Sequence, residues 1–280
     1  MREILTTSSS PAAASGSNLL AVALLGSCLA ACVGETAAGA PAAAPTISPG
    51  PERLRARVVA VHPHEQRSYT QGLQWWKGRM YESRGRYGES GVHSYDLETG
   101  EVIDDHELER DLFGEGLTAV GDELVQITWQ AGVAIVYDES LNELRRMRFR
   151  GEGWGLAYDG ESLILSDGTH VLSFLDPHTL EVRRRLEVRQ GTASRDRLNE
   201  LEWVDGALWA NVYQSDELVR IDPETGRVTA VVEAEGLLDR SAAPGAEVLN
   251  GIAYLPERET FLLAGKYWPQ SFEVVFEPAG

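Results

Sequence analysis

Cysteine is confined to Cys28 and Cys32, so the chain beyond Cys32 has neither a thiol nucleophile nor the means to form a disulfide. Lysine is almost as scarce: Lys77 and Lys266 are the only two, and the remaining cations are arginines. Acidic residues outnumber basic ones 43 to 25, giving a formal charge of −18. That balance excludes nucleic acid as a partner, because such binding rests on Lys and Arg meeting phosphates. The six histidines are scattered, and His62 and His64 flank Pro63 instead of taking a metal-ligand spacing. No glycine-rich phosphate loop follows a strand, and no serine carries a nucleophile motif. Covalent catalysis and zinc-assisted hydrolysis are therefore disfavoured, and no cofactor is expected.

Helical periodicity is also nearly missing, with a turn or two expected around Glu107 to Leu112 and Leu237 to Ser241. The apolar run Leu19 to Ala31 is short for a membrane span but suits the core of an export signal. It ends Leu29-Ala30-Ala31-Cys32, which resembles the lipobox of bacterial lipoproteins and would make Cys32 the lipidated first residue after cleavage. Residues 1–31 are thus expected to be a signal peptide, and 32–56, rich in Ala, Pro and Gly, a flexible tether. Residues 57–280 remain for one folded domain. The expected product is an exported cell-envelope or periplasmic protein, monomeric, touching the membrane only through its anchor.

What the chain does contain is a repeat. A polar or aromatic residue, then a small or acidic one, then Leu or Ile, occurs at Gln71-Gly72-Leu73, Glu115-Gly116-Leu117, Trp154-Gly155-Leu156, Asn199-Glu200-Leu201 and Asn250-Gly251-Ile252. The lead residues are 44, 39, 45 and 51 positions apart, near the unit length of a β-propeller blade. Behind each triplet come short strands rich in Val, Tyr, Leu and Trp, such as Leu124 to Trp129 and Val133 to Tyr137. Each unit then closes on an Asp-headed turn such as Asp96-Leu97-Glu98-Thr99-Gly100 or Asp222-Pro223-Glu224-Thr225-Gly226. The expected fold is all-β, a five-bladed propeller of four-stranded antiparallel blades. Arg57 to His62 would complete the last blade as its outer strand and close the ring.

If each triplet opens an innermost strand, the lead residues converge on one channel mouth. Glu115, bracketed by Gly114 and Gly116, becomes the acid–base candidate, since burial beside Phe113 disfavours its charged form. Trp129, Trp154, Tyr69 and Tyr213 supply rings able to stack on an amide or cage an ammonium. Gln71 and Asn199 offer neutral hydrogen-bonding groups, whereas Asn250 reads better as a tie between blades. Lys266 stands out as a lysine in an apolar strand, and an ion pair with a blade-interface carboxylate would be its structural reading.

The ordered motifs Tyr69-Thr70-Gln71-Gly72-Leu73, Phe113-Gly114-Glu115-Gly116-Leu117, Thr128-Trp129, Gly153-Trp154-Gly155-Leu156, Leu198-Asn199-Glu200-Leu201-Glu202, Leu249-Asn250-Gly251-Ile252-Ala253 and Gly265-Lys266-Tyr267-Trp268-Pro269 resemble the plant and bacterial type of glutaminyl-peptide cyclotransferase. The resemblance spans about Val58 to Val275. It implies a five-bladed propeller that converts the N-terminal Gln of peptides or proteins to pyroglutamate with loss of ammonia, without a catalytic metal. It further implies catalytic roles for Glu115, Asn199 and Lys266 and substrate contacts by Tyr69, Gln71, Phe113, Trp129, Trp154 and Tyr213. Tyr69 stands where Phe is usual and Tyr213 where Trp is usual; both remain aromatic. Two other readings of the residues stay open at this point, a calcium-dependent lactonase-like propeller and a non-enzymatic, lipid-tethered binding propeller.

Overall fold

The computed structural model describes residues 50–280. The expected signal peptide, Cys32 and the tether up to residue 49 lie outside the described residues. Among those described there is no helix. The segments near Glu107 and Leu237 close as hydrogen-bonded turns, Leu112 N–H to Glu109 O at 2.9 Å and Ala242 N–H to Asp239 O at 3.0 Å, and go no further.

After β1 (Glu52–Pro63) the strands come in successive antiparallel groups. The first antiparallel sheet is β2 (Thr70–Trp76), β3 (Arg79–Arg84), β4 (Gly91–Tyr95) and β5 (Val102–Glu107), in that order. The second is β6 (Gly114–Val120), β7 (Glu123–Thr128), β8 (Val133–Tyr137) and β9 (Glu143–Arg148). The third is β10 (Leu156–Tyr158), β11 (Leu163–Leu165), β12 (Val171–Leu175) and β13 (Val182–Glu187), followed by the small hairpin of β14 (Arg189–Gln190) and β15 (Ala193–Ser194). Then come β16 (Leu198–Val204), β17 (Ala207–Val212), β18 (Glu217–Ile221) and β19 (Val228–Glu233), and finally β20 (Leu249–Leu255), β21 (Thr260–Gly265) and β22 (Gln270–Pro278). These last seven join with β1 in one eight-stranded sheet, ordered β16-β17-β18-β19-β1-β22-β21-β20.

β1 is the seam of that sheet. It pairs antiparallel with β22, from Leu54 opposite Pro278 to Pro63 opposite Gln270, and parallel with β19 over Glu52 to Arg55. The strand therefore begins at Glu52, ahead of the boundary at residue 57 drawn from composition. The reason is Leu54, buried at 5% exposure beside Val232 of β19: one apolar side chain and two ladders of backbone bonds hold a stretch that otherwise reads as charged linker.

Buried apolar side chains form five clusters among the described residues, and each lies between consecutive groups of strands. Tyr81 of β3 meets Leu124 and Tyr137 of the second sheet; Ile127 and Val136 meet Leu163 and Leu165 of the third. Phe174 packs with Leu201 and Val219, and Trp209 with Phe261. The fifth cluster brings Leu73 and Met80 against Ala253 and Leu262, so the last group packs on the first. Alternation along each strand makes this possible, because both faces of a sheet need a partner when sheets follow one another around an axis. The Asp-headed turns close as the residues suggest: Asp96 Oδ1 accepts N–H of Glu98 and Thr99 at 3.1 and 2.9 Å, and Asp176 Oδ1 accepts those of His178 and Thr179 at 2.8 and 2.9 Å.

Candidate active site

Gln71, Glu115, Asn199 and Asn250 are each the second residue of the first strand of their group, and Trp154 lies two residues ahead of the start of β10 in its group. At the four strand openings the ladder to the second strand slips, between Thr70 and Gly72, Gly114 and Leu117, Leu198 and Leu201, and Leu249 and Ile252. A bulge at the head of a strand re-aims the side chain it displaces. The repeated Gly beside the lead residue has a second cause, which is crowding of the innermost strands. A Cβ on Gly116 would lie 2.4 Å from the main-chain N of Leu156, and one on Gly155 2.0 Å from the main-chain O of Asn199. Where the repeat has Glu200 instead, its carboxylate crosses to other strands, accepting N–H of Leu73 at 3.1 Å and of Ile252 at 2.9 Å.

The result is one cavity of about 210 Å3, lined by Tyr69, Gln71, Phe113, Glu115, Trp129, Trp154, Asn199, Tyr213 and Lys266. All nine residues expected to bind substrate or do chemistry are thus brought together. The wall is a chain of edge-to-face rings. Tyr69 and Phe113 stand 6.1 Å apart by centroid, Phe113 and Trp129 5.7 Å, and Trp154 and Tyr213 5.4 Å. Lys266 links the two ends, its Nζ 4.4 Å from the Tyr69 ring centroid and 5.4 Å from that of Tyr213. At the opposite junction Glu152 Oε2 accepts Nε1–H from Trp129 at 2.9 Å and from Trp154 at 3.3 Å.

Glu115, only 5% exposed, is the acidic group in the lining. Burial pushes its carboxyl well above the usual range; Lys266 and a hydrogen bond from Gln71 pull it back, and Glu152 adds to the rise. Lys266 is its complement. Burial lowers its ammonium to about 8, against the opposing pull of Glu115 and Glu247. It follows directly on β21 and does not sit within a strand, and among the described residues it makes no ion pair; in place of the alternative blade-interface pairing it contacts two tyrosine faces.

The amides divide their work. Asn250 Nδ2 donates to Thr70 O at 3.1 Å and to Gln71 Oε1 at 3.2 Å, the tie between strands that its position suggests. Asn199 presents a buried side-chain oxygen with no partner among the described residues, and it lines the cavity. An unpaired buried acceptor is costly unless something fills it. A neutral slot with a carboxyl, an ammonium, two carboxamides and a ring of aromatics can hold a planar amide, carry its protons and stabilise charge on its oxygen.

A family model described as glutamine cyclotransferase matches residues 27–276. The chain belongs to the glutamine cyclotransferase family. It is 37% identical over 229 residues to a glutaminyl-peptide cyclotransferase of Arabidopsis thaliana, a match covering 79% of this chain and 71% of the plant protein. It also resembles the crystal structure of the glutaminyl cyclase of Myxococcus xanthus, with a TM-score of 0.76 and 33% identity over 82% of this chain and all of that one.

Two features of the site escaped sequence reading. Glu152 lies outside the repeated triplets, and nothing local marks it except the neighbouring Gly153-Trp154. The other is a buried cluster behind Gln71, where Glu82 Oε2 faces His64 Nε2 at 3.2 Å and His93 Nε2 at 3.3 Å while Thr70 Oγ1 donates to Glu82 Oε1 at 2.7 Å. His64 Nδ1 also lies 2.6 Å from Trp268 O. The period-two pattern of β3 and β4 could have pointed to Glu82 and His93 as inward-facing partners.

Proposed function

We propose that this protein cyclises the N-terminal glutamine of peptides or proteins to pyroglutamate with release of ammonia, and that the cavity headed by Glu115 is where it does so. Membership of the glutamine cyclotransferase family favours this chemistry over a lactonase or a non-enzymatic binding propeller. The observation that carries the assignment of the site is the convergence of a buried carboxyl, a buried ammonium and an unpaired carboxamide oxygen inside one aromatic wall.

The substrate's α-amine attacks its own side-chain carbonyl carbon, so nucleophile and electrophile arrive in one molecule and the enzyme has to fold them together. Trp129, Trp154, Phe113, Tyr69 and Tyr213 clamp the folded side chain. As the C–N bond of the ring forms, the Glu115 carboxylate takes a proton from the attacking nitrogen. It then returns a proton to the departing nitrogen as the amide C–N bond breaks and ammonia leaves. Lys266, with the Gln71 amide, faces the oxygen that gains negative charge, and Asn199 Oδ1 receives an N–H of the substrate. The reaction so written draws its nucleophile from substrate and its charge stabilisation from Lys266, and it needs no metal.

The same reading extends to architecture. The eight-stranded sheet is two blades joined along β1 and β19, which with the three separate sheets makes five; the five inter-sheet apolar clusters support that count. We further infer a monomer, exported and held to the cell envelope by lipid on Cys32. The test of function is ammonia release from a short Gln-initiated peptide, with the product losing the mass of one ammonia. Turnover by the wild-type protein and its loss in Glu115→Gln is expected, and near-native turnover by folded Glu115→Gln would overturn the assignment.

A further inference from the structure

Glu152 lies on the segment between β9 and β10, partly buried, and both of its oxygens are engaged. Oε2 accepts the two indole N–H groups of Trp129 and Trp154, and Oε1 accepts Nε2–H of Gln130 at 2.9 Å. The backbone beneath is fixed as well: Gly153 N–H donates to Trp129 O at 2.9 Å and Trp154 N–H to Ser166 O at 2.9 Å. A Cβ on Gly153 would press on Ile127 Cδ1 at 2.8 Å and Phe149 Cζ at 2.9 Å, so this segment is seated tightly. The aromatic wall is therefore two arcs, one from Tyr69 through Phe113 to Trp129 and one from Trp154 to Tyr213, with a single carboxylate at their junction.

We propose that Glu152 is a positioning residue for the cyclisation, setting the ring planes of Trp129 and Trp154 by holding both indole N–H groups on one oxygen. Chemistry requires a carboxylate for this. An indole N–H is a donor only, and two of them plus a Gln130 amide need a group that accepts from all three and donates to none. A glutamine side chain would turn an NH2 toward one of these donors. The hydrogen bonds from Gln130, Trp129 and Trp154 hold Glu152 below the ordinary carboxylate range, so it keeps its charge at neutral pH. Glu115 also responds to that charge: Lys266 and Gln71 favour its ionised form, Glu152 opposes it, and Tyr69 shares its field.

This inference rests on the cavity being the glutaminyl site, and the experiment separates the two. Wild type, Glu152→Gln and Glu152→Asp are assayed for ammonia release from a Gln-initiated peptide across pH, and the indole N–H resonances of the ligand-free proteins are recorded by NMR. In Glu152→Gln, KM rises about tenfold, kcat falls less, and the resonances of Trp129 and Trp154 both move upfield as their charge-assisted bonds are lost. The acidic limb of kcat/KM, set by Glu115, moves to lower pH because a neighbouring negative charge has gone. Glu152→Asp keeps the charge on a shorter arm, so the limb stays while KM still rises. Unchanged indole resonances, or unchanged KM in folded Glu152→Gln beside an active wild type, would overturn the inference alone. No ammonia from the wild type would overturn the glutaminyl reading and this inference with it.

Discussion

Asn250 and Gln71, at the heads of strands from the last and first groups, share a hydrogen bond of 3.2 Å in which the Asn250 amide donates to the Gln71 side-chain carbonyl. The orientation of Gln71 follows from it. With its oxygen occupied, its NH2 is left to serve Glu115. Replacing Asn250 with Ala removes the donor to both Gln71 and Thr70 O and leaves two buried acceptors unpaired. The expected cost is about 1–3 kcal/mol in urea unfolding, together with a fall in kcat/KM for a Gln peptide as Gln71 loses its fixed orientation.

Glu115→Gln is expected to lower kcat by about 10²–10⁴-fold, the usual worth of a positioned acid–base group. Its stability profile carries a second signature. Because the folded-state carboxyl is raised well above its ordinary value, ionisation opposes folding, and wild-type stability declines as pH rises from the unfolded value through the folded one. The Gln variant lacks that decline. Denaturation midpoints at pH 5 and pH 9 should therefore differ less in the variant than in wild type.

Lys266 titrates near 8 within its aromatic setting. Its ammonium is present below that pH and lost above it, so kcat/KM should fall on the alkaline side. Lys266→Arg, which stays charged, should move that limb upward even if the longer fork lowers the plateau. A kcat/KM profile identical in wild type and Lys266→Arg would detach Lys266 from charge stabilisation.

The buried His64–Glu82–His93 cluster predicts a pH-dependent stability. Burial works against a charged His64, but Glu82 at 3.2 Å outweighs it and the net shift is upward, while the same partners hold Glu82 below the ordinary carboxylate range. A raised histidine value stabilises the fold fully below the unfolded value and loses that contribution as pH rises through the folded value. Truncating His64 to Ala removes one charge partner of the Glu82 carboxylate and leaves it to His93 and Thr70, at a cost of about 1–3 kcal/mol near pH 6. The difference from wild type should shrink toward pH 9, as read from chemical denaturation at the two pH values.

The site was readable in the sequence to the extent that it recurs. Four lead residues fall at the same place on an opening strand, and Phe113 and Tyr69 sit two positions before such a residue, the spacing that returns a side chain to the same face. Asp-headed turns were legible because their bonds are local. The start of β1 was not, since charged residues around Leu54 look like linker until β19 and β22 supply partners on both sides. Glu152 and the His64 cluster were hidden for the same physical reason: their partners are fixed by packing between groups of strands, and no period in the sequence encodes it. Lys266 stood out by its rarity and by its motif, and its environment of two tyrosine faces belongs to the assembled cavity.

At the seam, Ala279 N–H donates to Arg53 O at 2.9 Å, so both extremities of the described domain sit side by side. A circularly permuted version, joined across residues 280 and 52 and opened in the exposed connection near Gly236, would preserve every strand pairing and the whole cavity. Catalytic competence then depends on the strands being continuous around the axis and not on which of them the ribosome makes first.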